Sequence, residues 1–75
     1  MFVKICRTNG LEILHECDSV TWNPYKIKDD PKQTKLNLCI IRKDGTQLIE
    51  DIDTEKTIGV YYMSETGATI DRKQW

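Results

Sequence analysis

The sequence predicts an all-β protein, a small antiparallel barrel-like or sandwich fold of five to seven short strands. Asp44-Gly45 and Asn9-Gly10 each lie between runs of aliphatic and β-branched residues, and such dipeptides are strong hairpin signals. No long helical period is present, so we expect at most one short helical turn. With 75 residues, the chain is predicted to form a single β domain over residues 1–75.

The central hairpin is predicted from residues 36–43 and 46–52, with Asp44-Gly45 between them. A type I′ turn needs φ > 0 at both central positions, which Gly adopts freely and Asp tolerates better than most residues. We therefore expect a two-residue turn here, and we expect the other strands to add to this hairpin.

A second hairpin is predicted from residues 2–7 and 11–16, joined by Asn9-Gly10. A two-residue loop would set the register so that Arg7 lies opposite Glu12. That register pairs opposite charges, which favours it.

The same register brings Cys6 to the face that carries His15 and Cys17, because residues i and i+2 of a strand share a face. Three soft ligands are one short of the four that structural zinc normally takes. We therefore predict no metal and no cofactor, and we interpret these side chains as two small thiols beside a hydrogen-bonded histidine.

The other segments are assigned from the same local signals. They are a strand at 20–22, an exposed loop at 25–35, a single helical turn near 53–56, a strand at 57–63 and a short strand at 68–71. Residues 64–67 suit a type I turn with a G1 bulge at Gly67. Residues 72–75 are predicted to be a polar tail that ends in an aromatic.

Size and cysteine content limit the class of protein. Hydrophobic residues make up 39% of the chain, below the ~45–50% of typical globular proteins, so we expect pairing of exposed strand edges into a homo-oligomer. The three cysteines show no C-x-x-C spacing, and no secretory or membrane-spanning segment is evident. These features predict a reduced cytoplasmic protein without membrane contact.

The charges are segregated, although the net charge is only −1, which argues against general DNA binding. Residues 25–43 contain six basic and two acidic side chains, whereas residues 44–55 contain five acidic and no basic ones. The segregation has two explanations: attraction between the two arms of the central hairpin, or a bipolar surface that steers a partner.

Aromatic and charged side chains are the candidates for binding a partner. Trp and Tyr are over-represented at protein interfaces, although Trp22 and one tyrosine would equally fill a small core. The residues predicted to bind a protein partner are Trp22, Tyr25, Lys26 and Lys28 on one surface and Glu50, Asp51, Asp53 and Glu55 on another.

An alternative is a protein that sequesters a nucleotide or binds single-stranded nucleic acid. An aromatic ring beside lysines can stack a base while the ammonium groups meet phosphate. The residues predicted for that role are Tyr25, Lys26, Lys28 and Arg42.

Catalysis is not predicted. The chain has one histidine, His15, and no nucleophile elbow, so a nucleophile, a base and an orienting group are hard to assemble. Phosphate-binding glycine-rich loops are also absent. We therefore expect a binding protein that is not an enzyme.

A resemblance sharpens this expectation. The segment Ile58-Gly59-Val60-Tyr61-Tyr62-Met63-Ser64-Glu65-Thr66-Gly67-Ala68-Thr69-Ile70-Asp71-Arg72 resembles the C-terminal hairpin of small phage and prophage accessory proteins. The resemblance implies a phage-encoded protein of the host cytoplasm that acts by binding, for example by inhibiting or modulating a host defence protein or by sequestering a signalling nucleotide. It identifies no site residues.

Overall fold

The computed structural model describes residues 1–23 and 34–75, and this part of the chain forms seven strands and no helix. The strands are β1 (Phe2–Arg7), β2 (Glu12–Glu16), β3 (Ser19–Trp22), β4 (Lys35–Ile41), β5 (Gln47–Asp53), β6 (Thr57–Met63) and β7 (Thr69–Gln74). Within these residues, no helix is long and apolar enough to cross a lipid bilayer.

The strands form two antiparallel sheets, one in the order β2-β1-β6-β7 and the other in the order β3-β4-β5. The sheets do not close into a barrel, and one apolar core joins them as in a sandwich. The predicted all-β class is therefore confirmed, and of its two variants the structure has the sandwich.

The core is built from aliphatic side chains at alternate strand positions. The four-stranded sheet contributes Val3, Ile5 and Val60, and the three-stranded sheet contributes Leu38, Ile40 and Ile52. Cys17, in the connection between β2 and β3, completes the buried set. Each such side chain stabilises the fold by about 1.5–3 kcal/mol when fully buried, so the contact between the sheets holds this small domain together.

The central hairpin closes through a three-residue turn, and the predicted type I′ turn is wrong. Gly45 N–H donates to Arg42 O at 3.0 Å and Arg42 N–H donates to Thr46 O at 2.9 Å, the pattern of a type I turn followed by a G1 bulge. Gly45 adopts positive φ, +86°, as the bulge residue of this turn does, whereas a type I turn keeps its two central residues at negative φ. Asp44 is thereby spared the left-handed region, and its carboxylate accepts the Thr46 N–H at 2.9 Å.

The first hairpin uses the same turn, so its predicted register is also wrong. Cys6 lies opposite Glu12, where Ile13 was expected. A shift of one residue reverses the face of every side chain on a strand. Ile13 and His15 therefore lie on the inner face beside Ile5, while Leu14 lies on the outer face with 58% of its surface exposed.

The third hairpin confirms its predicted turn, because Gly67 N–H donates to Ser64 O at 3.0 Å. Its second strand is longer than predicted, since β7 continues to Gln74 through the supposed polar tail. The expected helical turn near 53–56 is one hydrogen-bonded turn, in which Lys56 N–H donates to Asp53 O. The predicted exposed loop ends earlier than expected because Lys35 begins β4, and its residues 25–33 lie outside the described residues.

Polar contacts link the two sheets at their margins. Lys43, in the β4–β5 turn, lies 2.7 Å from the Glu16 carboxylate at the end of β2, and this hydrogen bond lowers the pKa of Glu16. The Tyr62 hydroxyl of β6 donates to Asp18 O at 3.0 Å. Both side chains of the Lys43–Glu16 pair are more than half exposed, so the pair orients the sheets and adds little stability.

A substitution at Gly45 tests the turn. We expect Gly45→Ala to destabilise the protein by about 1–2 kcal/mol, because a Cβ is unfavourable at positive φ. The space around this position is open, with nothing within 4 Å of an added Cβ, so the loss would come from backbone strain and not from a clash. Urea denaturation measures the free energy of unfolding. Gly45→Asn is the matched control and should lose less, since Asn tolerates the left-handed region; equal losses would contradict this account.

Thiol labelling tests the core. Cys17 has no exposed surface, and burial raises the pKa of its thiol, whereas Cys6 and Cys39 are partly exposed. We expect iodoacetamide to alkylate Cys6 and Cys39 in the native protein and to reach Cys17 only after denaturation, because the thiolate is the reactive form. Peptide mass spectrometry locates the label. Native labelling of Cys17 at the rate of Cys39 would contradict the described packing.

Candidate protein-binding surfaces

Two tryptophans meet where the edge of one sheet passes the edge of the other. Trp22 is the last residue of β3, and Trp75 follows β7. Their ring centroids are 6.2 Å apart and the rings are nearly perpendicular, at 81°, an edge-to-face arrangement that aromatic pairs favour. The backbone N–H of Trp75 donates to Ile58 O at 3.0 Å, so Trp75 is held against β6.

Lys73 completes this group, which we call the tryptophan corner (Trp22, Lys73 and Trp75). The Lys73 ammonium lies 5.3 Å from the centroid of the Trp22 ring, within the range of a cation–π contact. Trp22 packs partly buried against the core, whereas Trp75 is 41% exposed. One indole thus anchors the corner and the other faces solvent.

The space beneath the corner is small. A cavity of about 60 Å³ lies between the sheets and is lined by Val3, Leu38, Val60 and the Trp22 ring, among others. Pockets that enclose drug-sized ligands typically measure 300–1,000 Å³. A nucleotide therefore has no room inside this cavity. Trp22 also borders a more open groove of about 510 Å³, which Cys39 and Ile49 help to line.

The predicted acidic surface is only partly assembled. Glu50 faces inward, because it lies opposite Leu38 in the ladder, and its Oε1 is 3.3 Å from His15 Nε2 of the other sheet. That histidine nitrogen is buried and has no hydrogen bond of favourable geometry among the described residues. Glu50 therefore does not share a face with the other acidic residues predicted to bind a partner.

Asp51 and Asp53 alternate with Glu50 and so lie on the outer face of β5, which is an edge strand. Asp53 accepts the Glu55 N–H at 3.0 Å and starts the turn that follows. Asp51 and Glu55 are exposed. In the β4–β5 register, Lys35 opposite Asp53 is the one pairing of opposite charges, so attraction across this ladder accounts for little of the charge segregation.

Of the other predicted binding residues, the structure describes Arg42. Tyr25, Lys26 and Lys28 lie outside the described residues. Arg42 is exposed and follows the end of β4, four residues beyond Leu38, the residue that pairs with Trp22. At about 3.3 Å per residue, Arg42 lies roughly 13 Å along the strand from the partner of Trp22.

The register also separates the side chains considered as metal ligands. Cys6 lies on the outer face of the four-stranded sheet, while His15 is opposite Val3 on the inner face. In residues 1–23 and 34–75, no three His, Cys, Asp or Glu side chains come together as a metal site.

A second exposed surface is the outer face of the four-stranded sheet, which we call the outer face. Leu14, Lys4, Tyr61 and Arg72 lie side by side across its four strands. The Lys4 ammonium is 5.6 Å from the centroid of the Tyr61 ring, and the Gln74 side-chain amide donates to the Tyr61 hydroxyl at 2.7 Å.

The sequence prediction missed Lys73 and gave Trp75 no role. A signal for both was present, because Asp71, Lys73 and Trp75 alternate as residues of one strand face do. Treating residues 72–75 as a tail concealed this alternation. Leu14 was missed because the predicted register assigned the wrong faces to β2.

Truncation of each indole tests the structure of the corner. We expect Trp22→Ala to destabilise the protein by about 3 kcal/mol, near the lower end for removal of a buried Trp. Trp75→Ala should cost about 1 kcal/mol, the size of one aromatic pair, and should preserve the fold. Urea denaturation followed by circular dichroism measures both. Equal losses, or unfolding by Trp75→Ala alone, would contradict the division into anchor and exposed ring.

Comparison with protein-family models, with curated protein sequences and with solved structures gives no match to this chain. The β6–β7 hairpin that carries the resemblance to phage proteins is formed, but any well-formed hairpin of this composition would look similar. The phage origin therefore stays a prediction.

Proposed function

We propose that this protein is a non-enzymatic binding module that recognises a protein partner through the tryptophan corner. The observation that carries the proposal is the exposed Trp75 ring beside the anchored Trp22 ring. Tryptophan is enriched among the few residues that supply most of the binding energy of protein interfaces. A ring whose neighbours already hold it also loses little conformational entropy on binding.

The charges near the corner indicate the chemistry of the partner. The Lys73 ammonium lies over the Trp22 ring and gives the corner a positive charge. A partner with an acidic rim around an apolar pocket fits this arrangement. The exposed Asp51 and Glu55 lie on a different strand and turn and would steer a basic region of the same partner. Charge complementarity of this kind mainly raises the association rate.

The biological setting that we propose follows from the resemblance of residues 58–72. The protein would be phage-encoded and would inhibit or modulate a host defence protein in the host cytoplasm by occupying its surface. A 75-residue chain suits this role, because blocking a surface needs exposed anchors and no assembled catalytic group.

Nucleotide or single-stranded nucleic-acid binding is the competing proposal. A stacked base needs an open ring face and nearby cations. At the corner, Lys73 already lies over the Trp22 ring and Trp75 packs edge-to-face against it, while Arg42 lies at the far end of β4. The geometry of the described residues therefore favours protein contact.

Affinity purification with matched variants tests the proposal. The tagged protein is immobilised, exposed to host lysate and compared with Trp75→Ala and with Leu11→Ala, which removes an exposed apolar side chain in the β1–β2 loop. We expect a protein that is retained by the wild type and by Leu11→Ala and is reduced at least tenfold by Trp75→Ala, as for loss of a hot-spot residue.

Binding to a nucleotide panel is measured in parallel by thermal shift at low and high salt. A salt-sensitive shift with one nucleotide, together with no Trp75-dependent protein, would overturn the proposal and support the competing one. Retention of the same protein by Trp75→Ala would show that the corner is not the binding surface.

A further inference from the structure

The outer face has the composition of an interface, yet nothing in the described part of the chain covers it. Its apolar centre consists of Phe2, Leu14, Tyr61 and Met63, which the register places on neighbouring strands. Leu14 has 58% of its surface exposed, and the other three are partly exposed. Exposed apolar faces of this kind mark interaction sites in soluble proteins.

The Tyr61 ring is held flat at the centre of this face. A Cβ built at Gly59 would approach the Tyr61 hydroxyl oxygen to 3.0 Å and the ring carbons to 3.1 Å, so the ring covers the glycine. Lys4 and Gln74 contact the same tyrosine from two sides. The face therefore presents a preorganised surface, which lowers the entropy cost of binding.

The charges on the outer face are divided between its two edges. Glu12 and Glu16 lie on β2 at one edge, and Arg72 lies on β7 at the other. Glu16 is paired with Lys43, whereas Glu12 and Arg72 have no ion-pair partner in the residues that the structure describes. The face thus carries an unpaired acid and an unpaired base at opposite edges.

We infer that the outer face binds a second copy of this chain and forms a two-fold symmetric dimer. A two-fold axis that runs between β1 and β6, parallel to them, lays β2 of one copy over β7 of the other. Leu14 then meets the aliphatic part of Arg72, Lys4 meets the Tyr61 ring, and Glu12 lies next to Arg72. Symmetry makes every one of these contacts occur twice.

The charge balance favours a second copy over other occupants. Two carboxylates, Glu12 and Glu16, share this face with Lys4 and Arg72, so a phosphate-rich surface such as nucleic acid or an anionic membrane would gain little net attraction. A face with acid at one edge and base at the other complements its own rotated copy. Burial of Leu14 and Phe2 would also supplement a core that is small in a chain of 75 residues.

The size of the face sets the expected affinity. Four strands of five to seven residues, about 4.8 Å apart, cover roughly 400 Å² in projection. Stable complexes of standard size bury about 800 Å² of accessible surface per partner. The dimer should therefore dissociate in the micromolar range, which makes its mass dependent on concentration.

A charge exchange tests the dimer. Sedimentation equilibrium from about 1 to 500 μM measures the dissociation constant of the wild type, whose mass should rise from 8.8 kDa toward twice that value. Arg72→Glu places like charges at both copies of the contact and should weaken the dimer about tenfold or more. The double variant Glu12→Arg/Arg72→Glu restores opposite charges and should return the dissociation constant to within about threefold of the wild type.

Two further variants make the result specific. Lys56→Glu reverses an exposed charge in the β5–β6 turn and should leave dimerisation unchanged, as should Trp75→Ala, so that failure of the dimer and failure of the proposed function are distinguishable. Thermal unfolding confirms that each variant is folded. A wild type that stays monomeric at 500 μM, or a double variant as weak as Arg72→Glu, would overturn the inference. An oligomer insensitive to Arg72→Glu would show that strand edges and not this face associate.

Discussion

The contact between the inner faces of the two sheets is the constraint on which the rest of the structure depends. Ile5 and Val60 from one sheet and Leu38 and Ile40 from the other are buried in a single cluster. A chain this short buries only about 60% of the surface that it exposes when unfolded, so few apolar side chains are left to build anything else. Because side chains alternate along a strand, the neighbours of each core residue point to the opposite face of the sheet.

The exposed surfaces follow from that alternation. On β5, Ile52 is buried, so Asp51 and Asp53 face outward. On β6, Val60 is buried, so Tyr61 belongs to the outer face. The inward position of Glu50 is the exception, and it lies beside His15 near the margin of the sandwich, where both side chains keep about a quarter of their surface exposed. A polar pair there costs less than it would in the centre of the core.

Local turn chemistry also shapes the surfaces, because a turn sets the register of the strands that it joins. Gly10, Gly45 and Gly67 all adopt positive φ at the same place in their hairpins. In the first two hairpins the residue before glycine thereby avoids the left-handed region, which is the physical reason that the three-residue turn replaces the expected type I′ turn. The additional turn residue shifts the register of β2 by one, so the side chains of β2 exchange faces. Leu14 therefore lies on the outer face, and Cys6 is separated from His15.

The sequence by itself determined the fold class, the positions of the hairpins and the extent of β1 and β6, because strand alternation and glycine turns are local properties. It also marked Trp22 as a candidate anchor, although it did not find Lys73, which meets Trp22 only when β7 continues to Gln74. Only the tertiary structure decided the pairing of β1 with β6, the contact of Glu50 with His15 and the contact of Trp22 with Trp75. These contacts join residues far apart in the chain, and no local pattern encodes which sheet face will cover another.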